Sequence, residues 1–140
     1  MQIIRRIASV IMLLAASAIP LTASAAPTAV QAGNFENGAH PTSGTATLYK
    51  LDDGKTVLRL TDFRTSNGPA VHVYLTAATS VNSNGDVTSG KFVDLGDLKA
   101  NIGNQNYDIP SDIDLSQYHG VSIWCSRFSV NFGYAKLQAH

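Results

Sequence analysis

Thr45-Ala-Thr-Leu-Tyr-Lys-Leu51, then Asp52-Asp53-Gly54, then Lys55-Thr-Val-Leu-Arg-Leu-Thr-Asp-Phe63 is the stretch that decides the fold. On both sides of Asp53-Gly54 the residues alternate with period two, so each segment turns one face inward and one toward water. Asp-Gly between such runs supplies the positive φ angles of a tight hairpin turn. Two antiparallel strands are therefore expected. Toward the C-terminus, Asn67-Gly-Pro69 forces a turn. Ala70-Val-His-Val-Tyr-Leu-Thr76 then sets Val71, Val73 and Leu75 on one face, with His72 and Tyr74 on the other, as a third strand.

Farther along, Asn82-Ser-Asn-Gly-Asp86 reads as a loop and Phe92-Val-Asp-Leu95 as a short strand. Gly96 to Asn106 is irregular and rich in glycine and asparagine, and Asp112 to Tyr118 has room for one helical turn. Val121 to Trp124, Phe128 to Phe132 and Tyr134 to Leu137 complete the set as closing strands. No stretch after residue 25 keeps helical periodicity over ten residues. The expectation is an all-β fold, an antiparallel β-sandwich or flattened barrel of seven or eight short strands, with no internal repeat and no second domain.

The N-terminus carries a different signal. Arg5-Arg6, the apolar run Ile7 to Leu21, and Ala23-Ser-Ala25 have the form of a secretory signal peptide with a small-residue cleavage site after Ala25. Pro20 breaks the run and no charged flank follows it, which argues against a retained membrane span. The expected organisation is a signal peptide over 1–25, a flexible arm over 26–39, and one domain over 40–140, exported to the periplasm or secreted.

Loss of Arg5 and Arg6 leaves eight basic against ten acidic residues. The remaining lysines and arginines are scattered singly and no Gly-rich phosphate loop follows a strand, so nucleic acid is not an expected partner. No Ser-His-Asp order, paired glycosidase carboxylates or nucleophile elbow is present, which leaves no hydrolase or transferase motif. Asp52-Asp53 precede a hairpin glycine and read as turn residues.

One residue stands apart. Cys125 is the single cysteine, set in Val121-Ser-Ile-Trp-Cys-Ser-Arg-Phe-Ser-Val-Asn-Phe-Gly133, the densest aromatic stretch of the chain. It has no partner for an internal disulfide, so it is either a reactive thiol or a small buried hydrophobe. Val121, Ile123 and Cys125 share a face, whereas Phe128, Val130 and Phe132 continue the opposite one. A bulge or bend near Ser126-Arg127 is needed to restore the inward set. The functional reading places Cys125 at the centre of a partly enclosed pocket made by Trp124, Phe128 and Phe132, with Arg127 as the nearest cation in sequence. The competing reading makes Trp124 a core anchor and Cys125 mere packing.

The chemistry open to such a site is narrow. One cysteine cannot hold an iron–sulfur cluster, and a Cys-x-x-Cys-His haem attachment is absent. Met1 and Met12 lie in the signal segment, which removes axial methionines from the mature chain. Haem or copper would need Cys125 with His40, His72 or His119, whose spacing matches no ligand pattern, so no cofactor or metal is assigned.

The series Asn67-Gly-Pro69, Val73-Tyr-Leu75, Asp94-Leu-Gly96, Leu98-Lys99, Gly103-Asn-Gln-Asn-Tyr107 with Pro110, Val121-Ser-Ile-Trp-Cys125, and Phe128 through Phe132-Gly133 to Ala135 and Leu137 resembles the DM-thirteen domain. The resemblance runs from about Gly33 to Leu137, and the Trp-Cys pair with its trailing Phe and Phe-Gly is its sharpest part. It implies an all-β electron-transfer module with Cys125 as its redox residue. No DOMON or cytochrome domain is fused to this chain, so the resemblance also implies a separate redox protein as the electron donor. A different class of function stays beside it: a non-catalytic binding module presenting Asn82 to Asp86 and Gly96 to Asn106, with Cys125 only packed.

Overall fold

The computed structural model describes residues 26–140, so residues 1–25, with the expected signal peptide, lie outside the described residues. Nine strands form within them: β1 (Thr28–Asn37), β2 (Ser43–Lys50), β3 (Thr56–Arg64), β4 (Val71–Thr76), β5 (Phe92–Asp97), β6 (Gln105–Asp108), β7 (Gly120–Cys125), β8 (Val130–Lys136) and β9 (Gln138–Ala139). They make one sheet in the order β5-β4-β7-β8-β1-β2-β3-β6, with β9 added to β1, and every pairing is antiparallel. The sheet curls until it nearly closes, which is the flattened barrel that the alternation predicts. Helix among the described residues is confined to one turn, α1 (Gly85–Thr88), which begins inside the segment read as a loop and runs past its end, and a 3-10 turn at Leu115–Gln117. Among the described residues no helix is long and apolar enough to cross a membrane.

The β2–β3 hairpin turns where Asp53-Gly54 places it. Leu51 N donates to Lys55 O and Gly54 N to Leu51 O, while Gly54 sits at φ 84°. Glycine tolerates this left-handed angle without strain. The inward residues Ala46, Leu48, Leu58 and Leu60 are fully buried, as are Val73 and Leu75 on β4 and Val121 and Ile123 on β7. Period-two burial against a common interior is what selects the register, because a one-residue slip would turn every one of these side chains to water.

Two expectations need correction. Residues 26–39 are not a flexible arm: Thr28–Asn34 lie along β2, and Phe35–Asn37 cross over to pair with β8. Ala29, Ala32 and Gly33 supply too little apolar bulk for alternation to show, and the strand is held by partners on both sides. At the crossover the Lys136 carbonyl approaches so closely that only a glycine fits at position 33. The second correction concerns Ser126-Arg127. The chain there makes a hairpin turn through Ser129 at φ 54°, and the irregularity falls on β8 instead, where Ile123 pairs with Gly133 but Trp124 with Asn131. Phe132 is the extra residue of that bulge, and the bulge turns it into the core.

The gap between the outer strands β5 and β6 is bridged at one end by the segment joining them. Leu98 N donates to Val71 O, Thr65 N to Asn101 O, and Gly103 N to Phe63 O. That end also carries the β3–β4 turn and the β7–β8 hairpin tip.

Candidate functional site

Cys125 closes β7 at this end of the barrel. It faces inward, opposite Val71 on β4 and Val130 on β8, and is 1% exposed. Its Sγ donates to Pro69 O at 3.1 Å, a contact made by the thiol and lost by a thiolate. Pro69 belongs to the turn Asn67-Gly68-Pro69-Ala70, which lies over the sulfur. Ala70 is held at φ 53°, a left-handed conformation that costs about 1 kcal/mol or more outside glycine. Ser126 fixes it there, with its backbone N and Oγ each donating to Ala70 O at 3.0 Å. On its outer side the turn borders a cleft of ≈ 450 Å³ whose polar lining includes Ser66, Asn67, Asp97, Lys99 and Asn101.

The three aromatic residues expected around the sulfur do not converge on it. Phe132 does share the buried cluster of Cys125 and packs edge-on against His40, with centroids 4.2 Å apart. Trp124 follows the strand alternation to the outer face, where it joins Tyr74 and Val87 in a separate buried cluster. Phe128 sits at the hairpin tip, 63% exposed beneath the Arg127 guanidinium at 5.6 Å. The aromatic pocket is thus replaced by an aliphatic interior, with Phe132 at its rim and the Pro69 turn as its cover. Pro69 and Ala70 were missed as site residues, although Asn67-Gly-Pro69 marks the turn and Val71 pairs with Cys125.

The histidines are dispersed. His40 lies against Phe132, and His119 lies near Thr76 at the opposite end of β4 from Cys125, its backbone N donating to Thr76 O. His72 is held on the outer face between two carboxylates, Nδ1 to Asp94 at 3.0 Å and Nε2 to Asp97 at 3.2 Å. Among the described residues no group of three or more His, Cys, Asp or Glu side chains is placed to hold a metal ion.

The outer face of β5, β4 and β7 carries a feature that sequence alone does not show. Phe92 stacks on Tyr74 with centroids 5.2 Å apart and planes at 16°, and Tyr74 stacks on Trp124 at 5.6 Å and 22°. The register explains it: Tyr74 stands opposite Asp94 on one side and Ser122 on the other, so Phe92 and Trp124 are its diagonal neighbours. Burial, then the Asp94 charge, raise the Tyr74 hydroxyl above its ordinary value.

On the same face Tyr134 donates to Ala78 O at 2.6 Å and covers Gly120 with its ring. Burial, reinforced by the Glu36 charge, pushes its hydroxyl up from 10.0 to about 12. The folded chain therefore favours the neutral phenol more than the unfolded chain does. The stability this contributes is complete below about pH 10 and is lost as pH rises from about 10 toward 12. Urea midpoints measured across that window should fall, and should fall less steeply in Tyr134→Phe; equal slopes in the two proteins would count against it.

A protein-family model described as Electron transfer DM13 matches residues 34–137. No curated protein and no solved structure matches the chain.

Proposed function

The chain belongs to the electron-transfer DM13 family, and from that premise we propose that it is an exported redox component centred on Cys125 and served by a separate redox protein. The observation that carries the assignment to Cys125 is its position: the sulfur is one hydrogen bond below a strained surface turn that borders an open cleft. At rest the thiol is capped and inert. Lifting the Asn67–Ala70 turn frees the sulfur from Pro69 O and exposes it to a partner disulfide, which it attacks to form a mixed disulfide with release of one partner thiolate. The turn thereby gates the chemistry. Export rests on the leader-like residues 1–25.

The near-complete burial of Cys125 favours a second reading, in which the thiol only packs and the loops around the cleft bind a partner. Alkylation kinetics separate the two. Under the gated reading a small alkylating reagent reacts with the native protein slowly, at a rate set by local opening and independent of global unfolding. Gly68→Ala should accelerate it about tenfold, equivalent to about 1.4 kcal/mol less opening free energy. The reason is local: an alanine Cβ at 68 would meet the Phe132 ring at 2.7 Å and Val71 Cγ2 at 3.1 Å, so the turn or the ring beneath it must shift, and either loosens their contact. Cys125→Ser should lose all reactivity yet cost only about 1 kcal/mol, because the hydroxyl keeps Pro69 O as its acceptor. A thiol that reacts only when the whole domain unfolds would replace the redox reading with the packing one.

A further inference from the structure

Besides Cys125, the side chains of the described residues that most readily give up a single electron are Trp124 and the tyrosines. Trp124 is the sole tryptophan, and it lies in stacking contact with Tyr74. The stack reaches the surface through Phe92, which is 43% exposed on the outer strand β5. Beside Tyr74 in the register stands Asp94, whose carboxylate accepts from or pairs with His72 Nδ1, and His72 Nε2 meets Asp97 at the solvent boundary. An oxidisable pair, a surface contact and a cluster of Asp94, His72 and Asp97 thus occupy one face of three adjacent strands.

We propose that Phe92, Tyr74 and Trp124 form a one-electron relay that gives this domain a second redox-active site, on the outside of the barrel and separate from the thiol. The proposal rests on the electron-transfer reading of the domain. A one-electron oxidant, such as the oxidised metal centre of a partner protein, contacts the stack at Phe92 and takes one electron from Trp124, leaving the indole radical cation. Tyr74 returns an electron to Trp124 and releases its phenolic proton to solvent on the side of Asp94. The sum is one electron to the oxidant, one proton to solvent, and a neutral phenoxyl radical on Tyr74. A one-electron donor then restores the phenol with a proton from solvent. Burial of Tyr74 under α1 and its neighbours protects the radical from water, while the exposed ring of Phe92 supplies contact without being oxidised itself.

Photogenerated ruthenium(III) tris-bipyridine supplies the oxidant in the test, with transient absorption and electron paramagnetic resonance as readouts. The wild-type protein should yield a tyrosyl radical. Tyr74→Phe keeps the ring stack and should lose that signal, leaving an indole radical in its place. Trp124→Phe should reduce the tyrosyl yield about tenfold or more. A tyrosyl signal undiminished in Tyr74→Phe, one unchanged in Trp124→Phe, or none in the wild type overturns the relay. Cys125→Ser should leave the radical yield unchanged, so failure of the relay and failure of the thiol site are read independently.

Discussion

Gly33→Ala is expected to lower the stability of the domain by about 3 kcal/mol, the upper part of the range for forcing extra volume into packed structure. The new Cβ would lie far inside the sum of its van der Waals radius and that of the Lys136 carbonyl oxygen, with the carbonyl carbon and Leu137 N close behind. The obstacle is backbone, and no rotamer change removes it. Either β1 or the junction of β8 and β9 must move, which loosens the pairings Phe35 with Ala135 and Ala32 with Gln138. In a domain of this length the melting temperature should fall by more than about 10 °C. Gly85→Ala is the control, since a Cβ there meets nothing within 4 Å, and its effect should stay within about 0.5 kcal/mol. Equal effects of the two substitutions would show that the close approach at Gly33 is not what restricts the position.

Phe63→Ala should cost about 4 kcal/mol. Phe63 is fully buried and meets the ring of Phe35 edge-on at 5.3 Å, which joins β3 to β1 across the interior. Its inward aim depends on a local irregularity. Asp62 adopts φ 51° and its N–H is taken by Asn104 Oδ1 at 2.7 Å, so Phe63 follows Leu60 into the core although it is three residues on. Phe63→Leu keeps most of the volume and should cost about 1.5 kcal/mol. Denaturant midpoints with an unchanged m value would check both figures. A loss below 1 kcal/mol for the alanine variant would show that β1 collapses onto the vacancy, and that Phe35 does not depend on its partner.

The parts of the fold legible in the sequence are those whose order is local. Leu48, Leu58 and Leu60 flank a turn dipeptide, and Val73 and Leu75 follow a forced turn, so both segments declare their inward faces without reference to the rest of the chain. β1 does not, because its burial is conferred by β2 and β8, and its small residues matter for what they let approach. Cys125 was legible as a singular residue but its surroundings were not. Neighbours in sequence on a strand point to opposite faces, so Trp124 was bound to leave the side of the sheet that Cys125 occupies. Phe132 reached that side only through the one-residue bulge. The stack of Phe92, Tyr74 and Trp124 depends on the registers of β5 on β4 and of β4 on β7, which no single strand encodes.

The placement of β1 between β2 and β8 has a consequence for the chain as it is being made. Phe35 pairs with Ala135, a hundred residues later, whereas the β2–β3 hairpin closes across five residues between Lys50 and Thr56. Loop-closure entropy rises with the logarithm of this separation, so the late pairing starts about 2.7 kcal/mol behind the hairpin. A chain still held at the ribosome can form the β1–β2–β3 meander but has no β8 to seat against it. Until β8 emerges, β1 offers an unpaired edge of N–H and C=O groups, a template for association with other chains. Folding should accordingly wait until β8 has left the ribosome, and then run on the millisecond-to-second scale of proteins built from distant strand pairings. Truncation before Val130 should leave products that aggregate instead of folding into a smaller barrel.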